Sequence, residues 1–202
     1  LLGIGLILLL AFVAYSRNEL WRHPINLWCQ NAEAMPENNR AWRIYGKSLI
    51  VAGKYEEGIR VIQDKGMIRL GNDGDQGFSM EPETLLNLLV ANIRLKRYEQ
   101  AKELIDYGFT LDMTPLNRSK LWTNYANMMQ FQGRMAESEA YYREAIREFP
   151  SNLIAKTNLA NLLFTLGRLD EAKAIYTDIL KIEPNNNHAI KGLEIMEMKQ
   201  AE

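Results

Sequence analysis

The sequence predicts an all-α chain of repeated antiparallel helix pairs stacked in a row, and three observations predict it. Pro150 and Pro184, Gly133 and Gly167, and Glu137 and Glu171 each lie 34 residues apart, a period that belongs to arrays of paired short helices. Small residues recur where the two helices of a pair must cross, Ala126 with Ser138 and then Ala160 with Ala172, so backbones approach while larger neighbours interlock. Punctuation repeats as well: Gly133 and Gly167 fall where a first helix stops and reverses, and Pro150 and Pro184 where a second helix ends.

Composition agrees with a folded chain and narrows its chemistry. Of 202 residues, 47% are hydrophobic and 24% charged, which argues against disorder. Lys plus Arg number 24 against 25 Asp plus Glu, so the basic field that nucleic acid requires is missing and no nucleic-acid partner is expected. Cys29 is the single cysteine, which excludes an internal disulfide, a cysteine zinc site and a CxxC redox pair.

Taken in order, residues 1–16 read as the C-terminal part of a transmembrane helix. Leu1 to Tyr15 carries no charge, the mark of a lipid-facing segment. As a helix it would reach about 22 Å, short of the ~30 Å hydrocarbon layer, so the span is expected to begin upstream. A signal peptide is the alternative, with Ala14-Tyr15-Ser16 as a loose cleavage site. Tyr15, Arg17, Trp21 and Trp28 are the expected membrane-interface residues. Residues 17–38 hold a linker and a capping helix between Pro24 and Pro36. A first pair at 39–72 rests on Ala41-Trp42, Tyr45-Gly46, Gly53, Tyr55 and Gly58. Residues 73–81 are a loop insertion rich in turn formers. Its Asp73-x-Asp75-x-Gly77 spacing lacks a glutamate at the twelfth place, where Thr84 stands, so a plain loop is expected in preference to a calcium site. A second pair with its linker covers 82–118 on Leu85, Leu88, Tyr98, Ala101, Ile105 and Gly108. Leu89 takes the place of a small residue there and leaves that crossing angle open. Pairs three and four cover 119–152 and 153–186, and 187–202 is a capping helix with Ala189, Ile190, Leu193 and Met196 inward.

The third and fourth pairs resemble the tetratricopeptide repeat. Trp122, Tyr125, Ala126, Ser138, Tyr142, Ala145 and Pro150 match its pattern, as do Leu159, Ala160, Ala172, Tyr176 and Pro184; Lys156 and Ile179 depart from it. The resemblance implies a superhelix of about four repeats that binds proteins or peptides along a concave face lined by first helices. Asn124, Asn127, Asn158 and Asn161 fall on that lining, with Lys120 and Lys156 as candidate holders of a ligand carboxylate and Arg43 and Lys47 on the matching helix of the first repeat. Arg40, Arg43 and Lys47 form a basic stripe that is a solvated face or a meeting place for head groups or an acidic partner. Replacing Asn127 and Asn161 with Ala is expected to leave the fold intact.

No catalytic constellation is present. His23 and His188 are expected far apart as surface imidazoles, and Glu137 and Glu171 recur once per repeat, as turn-forming residues do. No cofactor or metal is expected. The junction from 14 to 46 is similar, through Tyr15, Arg17-Asn18, Trp21, Leu27-Trp28, Pro36, Ala41 and Gly46, to the exit from the last spanning helix of polytopic glycosyltransferases of the protein-mannosyltransferase class. That similarity implies repeats on the non-cytoplasmic side that bind an acceptor or neighbouring subunit; it carries no catalytic residue onto this chain. The leading expectation is therefore a membrane-anchored protein-binding scaffold, with the non-catalytic region of such a transferase as the alternative.

Overall fold

A computed structural model of the chain describes residues 23–66, 68–69 and 78–200. The expected spanning segment 1–16, its interface residues Tyr15, Arg17 and Trp21, and Asp73 to Gly77 lie outside the described residues. Among the described residues no helix is long and apolar enough to cross a membrane. The chain divides into two compact units, one ending at Lys96 and the other starting at Arg97.

The first unit contains α1 (Pro24–Ala34), α2 (Asn39–Val51), α3 (Tyr55–Val61) and α4 (Pro82–Arg94). Asn38 starts α2 by accepting the Ala41 backbone N–H at 3.3 Å, which satisfies one of the donors a helix start leaves open. The α2–α3 pair crosses on glycine. A Cβ on Gly46 would meet Ile62 Cγ1 at 2.5 Å, and one on Gly58 would meet Ile50 Cγ1 at 2.6 Å and the Gly46 carbonyl oxygen at 2.8 Å. Glycine at the usual alanine site is thus a steric requirement of this pair. Beyond Val61 the helix loosens into a π turn, Ile62–Gly66, and the following insertion is pinned by a minimal antiparallel ribbon. In it β1 (Ile68–Arg69) pairs with β2 (Phe78–Ser79), Ile68 opposite Ser79. This ribbon is the one addition to the helical fold class among the described residues, and it starts inside the segment assigned to the first repeat. Its cause is local, since β-prone Ile68 and Phe78 flank a run of turn formers. Helix α4 packs on α2 and α3 and buries Leu85, Leu88, Leu89 and Ile93.

The second unit is a row of six helices: α5 (Tyr98–Thr110), α6 (Pro115–Phe131), α7 (Met135–Glu148), α8 (Leu153–Thr165), α9 (Leu169–Ile182) and α10 (Asn187–Gln200). Helix α6 begins at Pro115, so residues 115–118 are helical and not linker. Thr114 caps that start, its Oγ1 accepting from Asn117 N at 3.3 Å, and proline suits a first turn that has no use for its N–H. Helices α6 and α7 pair, α8 and α9 pair, and α7 on α8 and α9 on α10 join successive pairs. The shared core holds Ala126, Tyr142, Leu159, Ala160, Leu162, Leu163, Ala172, Tyr176, Ile179, Ala189 and Met196. Each fully buried leucine here is worth about 1.5 to 3 kcal/mol of apolar transfer. Ser138 sits buried at the crossing.

Polar groups hold the pairs in register. Asn152 caps α8, accepting from Ala155 N at 3.1 Å, and turns its amide back to Ser119 Oγ at 2.8 Å and Thr123 Oγ1 at 3.2 Å. Ser119 in turn donates to the Ala145 carbonyl at 2.6 Å. Asn152 therefore ties the start of α8 to both helices of the preceding pair, through groups that would be costly to leave unpaired in a buried place. The turns inside the pairs require positive φ, supplied by glycine at Gly53 (81°), Gly133 (78°) and Gly167 (78°); after α4 the same place is held by Lys96 at 57°. For lysine that left-handed conformation costs about 1 to 2 kcal/mol.

Candidate functional site

The asparagines expected to line the first helices are partly brought together. Asn158 Nδ2 on α8 donates to Asn127 Oδ1 on α6 at 3.1 Å, so side-chain amides of successive first helices touch. The same Asn127 oxygen lies 2.5 Å from the Tyr142 hydroxyl of α7, which is also 3.0 Å from Gln130 Oε1. Having one proton, the hydroxyl donates to the nearer oxygen. Asn161 Oδ1 accepts the Tyr176 hydroxyl of α9 in the same manner. Tyr142 is fully buried, and that burial pushes its hydroxyl up to about 12. Both asparagines therefore bond across the helices of a pair; removal of Asn127, which serves the fully buried Tyr142, is expected to cost stability, whereas Asn161 is exposed. Their role depends on tyrosines 15 residues further on, on another helix.

The other expected site residues divide. Asn124 and Lys120 are half-buried on α6, whereas Asn161 and Lys47 are exposed. Arg43 is engaged elsewhere: Nη1 donates to the Gly66 carbonyl at 3.2 Å and Nη2 to Glu81 at 2.8 Å, with its side chain 12% exposed. It clamps the π turn to the start of α4, and its place on a ligand surface is corrected to a structural one. Lys156 is likewise paired, its Nζ with Asp178 of α9; that bond and the lysine's charge hold the Asp178 carboxyl below the usual range. Trp28 is half-buried on α1. His23 and His188 are exposed.

A second feature, which sequence reading missed, lies between the second helices α7 and α9. Arg168 bridges Glu171 of α9 at 2.6 Å and Glu139 of α7 at 2.6 Å, and Arg143 of α7 donates to Glu139 at 2.8 Å and to Glu171 at 3.3 Å. Arg134 and Glu137 repeat the turn pair one repeat earlier. Burial alone would raise the Glu139 carboxyl, but hydrogen bonds from Arg168 and Arg143 outweigh it and hold the group below the carboxylate range. Beside this network opens a groove of about 490 Å³ over α8, with Ile146, Leu159, Ala174 and Ile175 as its apolar lining and Arg143, Arg147, Lys156 and Asp178 at its polar edges. The signal available in the sequence was Lys156 at a position where the repeat wants a bulky residue. Among the described residues no group of three or more His, Cys, Asp or Glu side chains is placed to hold a metal.

Comparison with known proteins agrees with this geometry. Residues 132–194 match the family described as Tetratricopeptide repeat. No curated protein matches the chain. Among solved structures, MamA (AMB-1) superposes with a TM-score of 0.54 at 17% identity, over 79% of this chain and 88% of that one. YrrB, titled a TPR protein with an unusual peptide-binding site, does so with 0.53 at 17% identity, over 91% and 88%. Cut9, from the APC/C hetero-tetramer Cut9–Hcn1, reaches 0.65 at 13% identity over 88% of this chain and 33% of that one. These likenesses show the tetratricopeptide fold. They do not show the glycosyltransferase similarity of residues 14–46.

Proposed function

We propose that this chain is a tetratricopeptide scaffold, tethered to a membrane through residues 1–16, that holds an extended segment of a partner protein along helices α6 and α8. The observation that carries the reading is the amide row: Asn158 and Asn127 touch across successive repeats, with Asn124 and Lys120 half-buried on the same helix α6. Side-chain amides at such a spacing match the alternating donors and acceptors of an extended backbone, and a nearby lysine suits its carboxylates. YrrB, with the same fold, is titled as binding peptide, which supports this use of the scaffold. The tether rests on the uncharged run Leu1 to Tyr15, and placement of the repeats on the non-cytoplasmic side rests on the similarity of residues 14–46 alone.

The clean test uses Asn124 and Lys120, because Asn127 and Asn161 also accept the Tyr142 and Tyr176 hydroxyls. Asn124→Ala with Lys120→Ala should leave helix content and Tm unchanged and reduce crosslinking of the partner in native membranes at least fivefold. Undiminished crosslinking in a folded, membrane-associated variant would overturn the proposal.

A further inference from the structure

The groove between α7 and α9 has a counterpart one repeat earlier, and the two are filled differently. In the earlier junction Phe109 of α5, Trp122 and Tyr125 of α6, and Tyr141 of α7 close on one another: Phe109 and Trp122 at 4.4 Å between ring centroids, Trp122 and Tyr141 at 5.4 Å, and Tyr125 and Tyr141 at 4.2 Å. The corresponding residues of the later junction are Ile146, Lys156, Leu159 and Ile175. All four rings are gone, and all four replacements line the 490 Å³ groove. The charge changes with them. Asp106 and Thr110 of α5 correspond to Arg143 and Arg147 of α7, so cations stand at the groove's edge where a carboxylate and a hydroxyl stand one repeat earlier.

We propose that this groove, which α7 and α9 form together with Lys156 and Leu159 of α8, is a second binding site that takes an aromatic side chain flanked by carboxylates from an acidic segment of a partner protein. The aromatic part follows from the space: the scaffold is the same, and rings are what this scaffold packs there when it supplies its own. The floor of Ile146, Leu159 and Ile175 presents aliphatic surface to a ring face, and the volume lies within the range of about 300 to 1,000 Å³ that small-ligand sites occupy. The acidic part follows from the edge. Arg147 is 74% exposed and pairs with Glu144 within α7, and Arg143 is 50% exposed between Glu139 and Glu171. Exposed pairs of this kind are weak, so an incoming carboxylate can take an arginine from its partner at little cost and gain a charge-assisted hydrogen bond. Lys156, only 11% exposed and held by Asp178, stays as a fixed wall and keeps the floor from collapsing. The site does not depend on the amide row being a peptide clamp.

The test is a titration of the isotope-labelled full chain with acetyl-Asp-Trp-Asp-Glu-amide, followed by amide chemical shifts. Saturable shifts confined to residues 143–147, 156–159 and 174–178 are expected. Binding should weaken at least tenfold when the tryptophan of the peptide is replaced by alanine, and again when its acidic residues are replaced by lysine. Two variants refill the groove: Leu159→Trp from the floor and Ala174→Tyr from its exposed wall, the second chosen because it adds a ring without touching the core. Either one, folded by its Tm, should lose binding at least tenfold, while Asn124→Ala should leave it unchanged. Absence of saturable shifts, equal binding of the alanine or lysine peptide, or unimpaired binding by a folded refilled variant would each overturn the site. Loss of partner crosslinking in Asn124→Ala with Lys120→Ala, by contrast, bears only on the amide row.

Discussion

Two successive junctions of one helical row are held by different forces. Between α5 and α7, over α6, four rings fill the space, with Trp122 and Tyr125 nearly parallel at 11° and Lys102 over Tyr125 at 6.0 Å from the ring centroid. Between α7 and α9, over α8, aliphatic side chains leave the space open and the closing is done by Arg143, Arg168, Glu139 and Glu171, with Lys156 and Asp178 below. The small residues and turn glycines that set the helix crossings are alike in both. What the difference teaches is that the period specifies the backbone, while the large side chains between second helices are free to be either filler or function. Ring packing contributes through buried area and ring geometry; exposed ion pairs contribute little and are screened by salt.

The largest effect should come from emptying the filled junction. Trp122→Ala removes the ring that Phe109, Tyr125 and Tyr141 all touch and should cost about 3 kcal/mol, the lower end for such a truncation because the ring is only half-buried. Denaturant unfolding would show it as a lower midpoint, and an unchanged midpoint would mean the rings are a surface cluster without structural weight. Next comes Asn127→Ala. It removes the nearer acceptor of the buried Tyr142 hydroxyl and deprives Asn158 of its acceptor, for a loss of about 2 kcal/mol. Asn161→Ala should cost less than about 1 kcal/mol, because Asn161 is exposed and water can replace it. Equal losses would show that the two repeats do not differ at this layer.

Much of this was legible in the sequence, and what was not has a common cause. Residues that constrain the backbone announce themselves: Gly133 and Gly167 by their positive φ, Ala126 and Ala172 by the crossing; Pro115 is the exception, read as the end of the second pair although it starts α6. Gly58 could be read as a departure from the alanine pattern, although only the 2.8 Å approach of a Cβ to the Gly46 carbonyl oxygen explains it. Residues whose role depends on a partner from another helix were misread. Asn127 and Asn161 sit on one face of their helices, which periodicity reveals; the tyrosine hydroxyls that use them arrive from the paired helix, which periodicity does not reveal. Arg43 looked like part of a basic stripe for the same reason, since Gly66 and Glu81 reach it only through the π turn and the insertion. The groove escaped notice because an absence of rings is visible only when two junctions are laid side by side.

A smaller effect tests whether the open junction is held by its lysine pair. Asp178→Ala should cost about 1 kcal/mol, since it leaves the mostly buried Lys156 ammonium without its partner while Asp178 itself is half-exposed. Adding Lys156→Met should return that loss, because an apolar side chain of similar length suits the same wall. A double variant as unstable as the single one would mean the lysine stem, and not its charge, is what the junction needs.

The smallest effects, and the sharpest for the comparison, are those of pH, because the two junctions should fail at opposite ends of the scale. In the open junction Glu171 is held low first by its hydrogen bond from Arg168, Asp178 by its bond from Lys156, and Glu139 by arginines that outweigh its burial. Groups with lowered folded values contribute stability that is fully present above the ordinary carboxylate range near about 4 and is lost as pH falls through the folded value. In the filled junction Tyr141 is pushed up to about 12, first by a hydrogen bond with Tyr125 and then by burial. A raised value reverses the sign: its contribution is intact below the ordinary tyrosine value of 10 and fades as pH climbs towards 12. Melting temperature should therefore be flat around neutrality and decline at both extremes for different reasons. Glu139→Gln with Glu171→Gln should flatten the acid limb and leave the alkaline limb alone, and Tyr141→Phe should reduce the alkaline limb only. A variant that moved both limbs would show that the junctions melt as one, in which case the open junction could not be rebuilt for a ligand without disturbing the filled one.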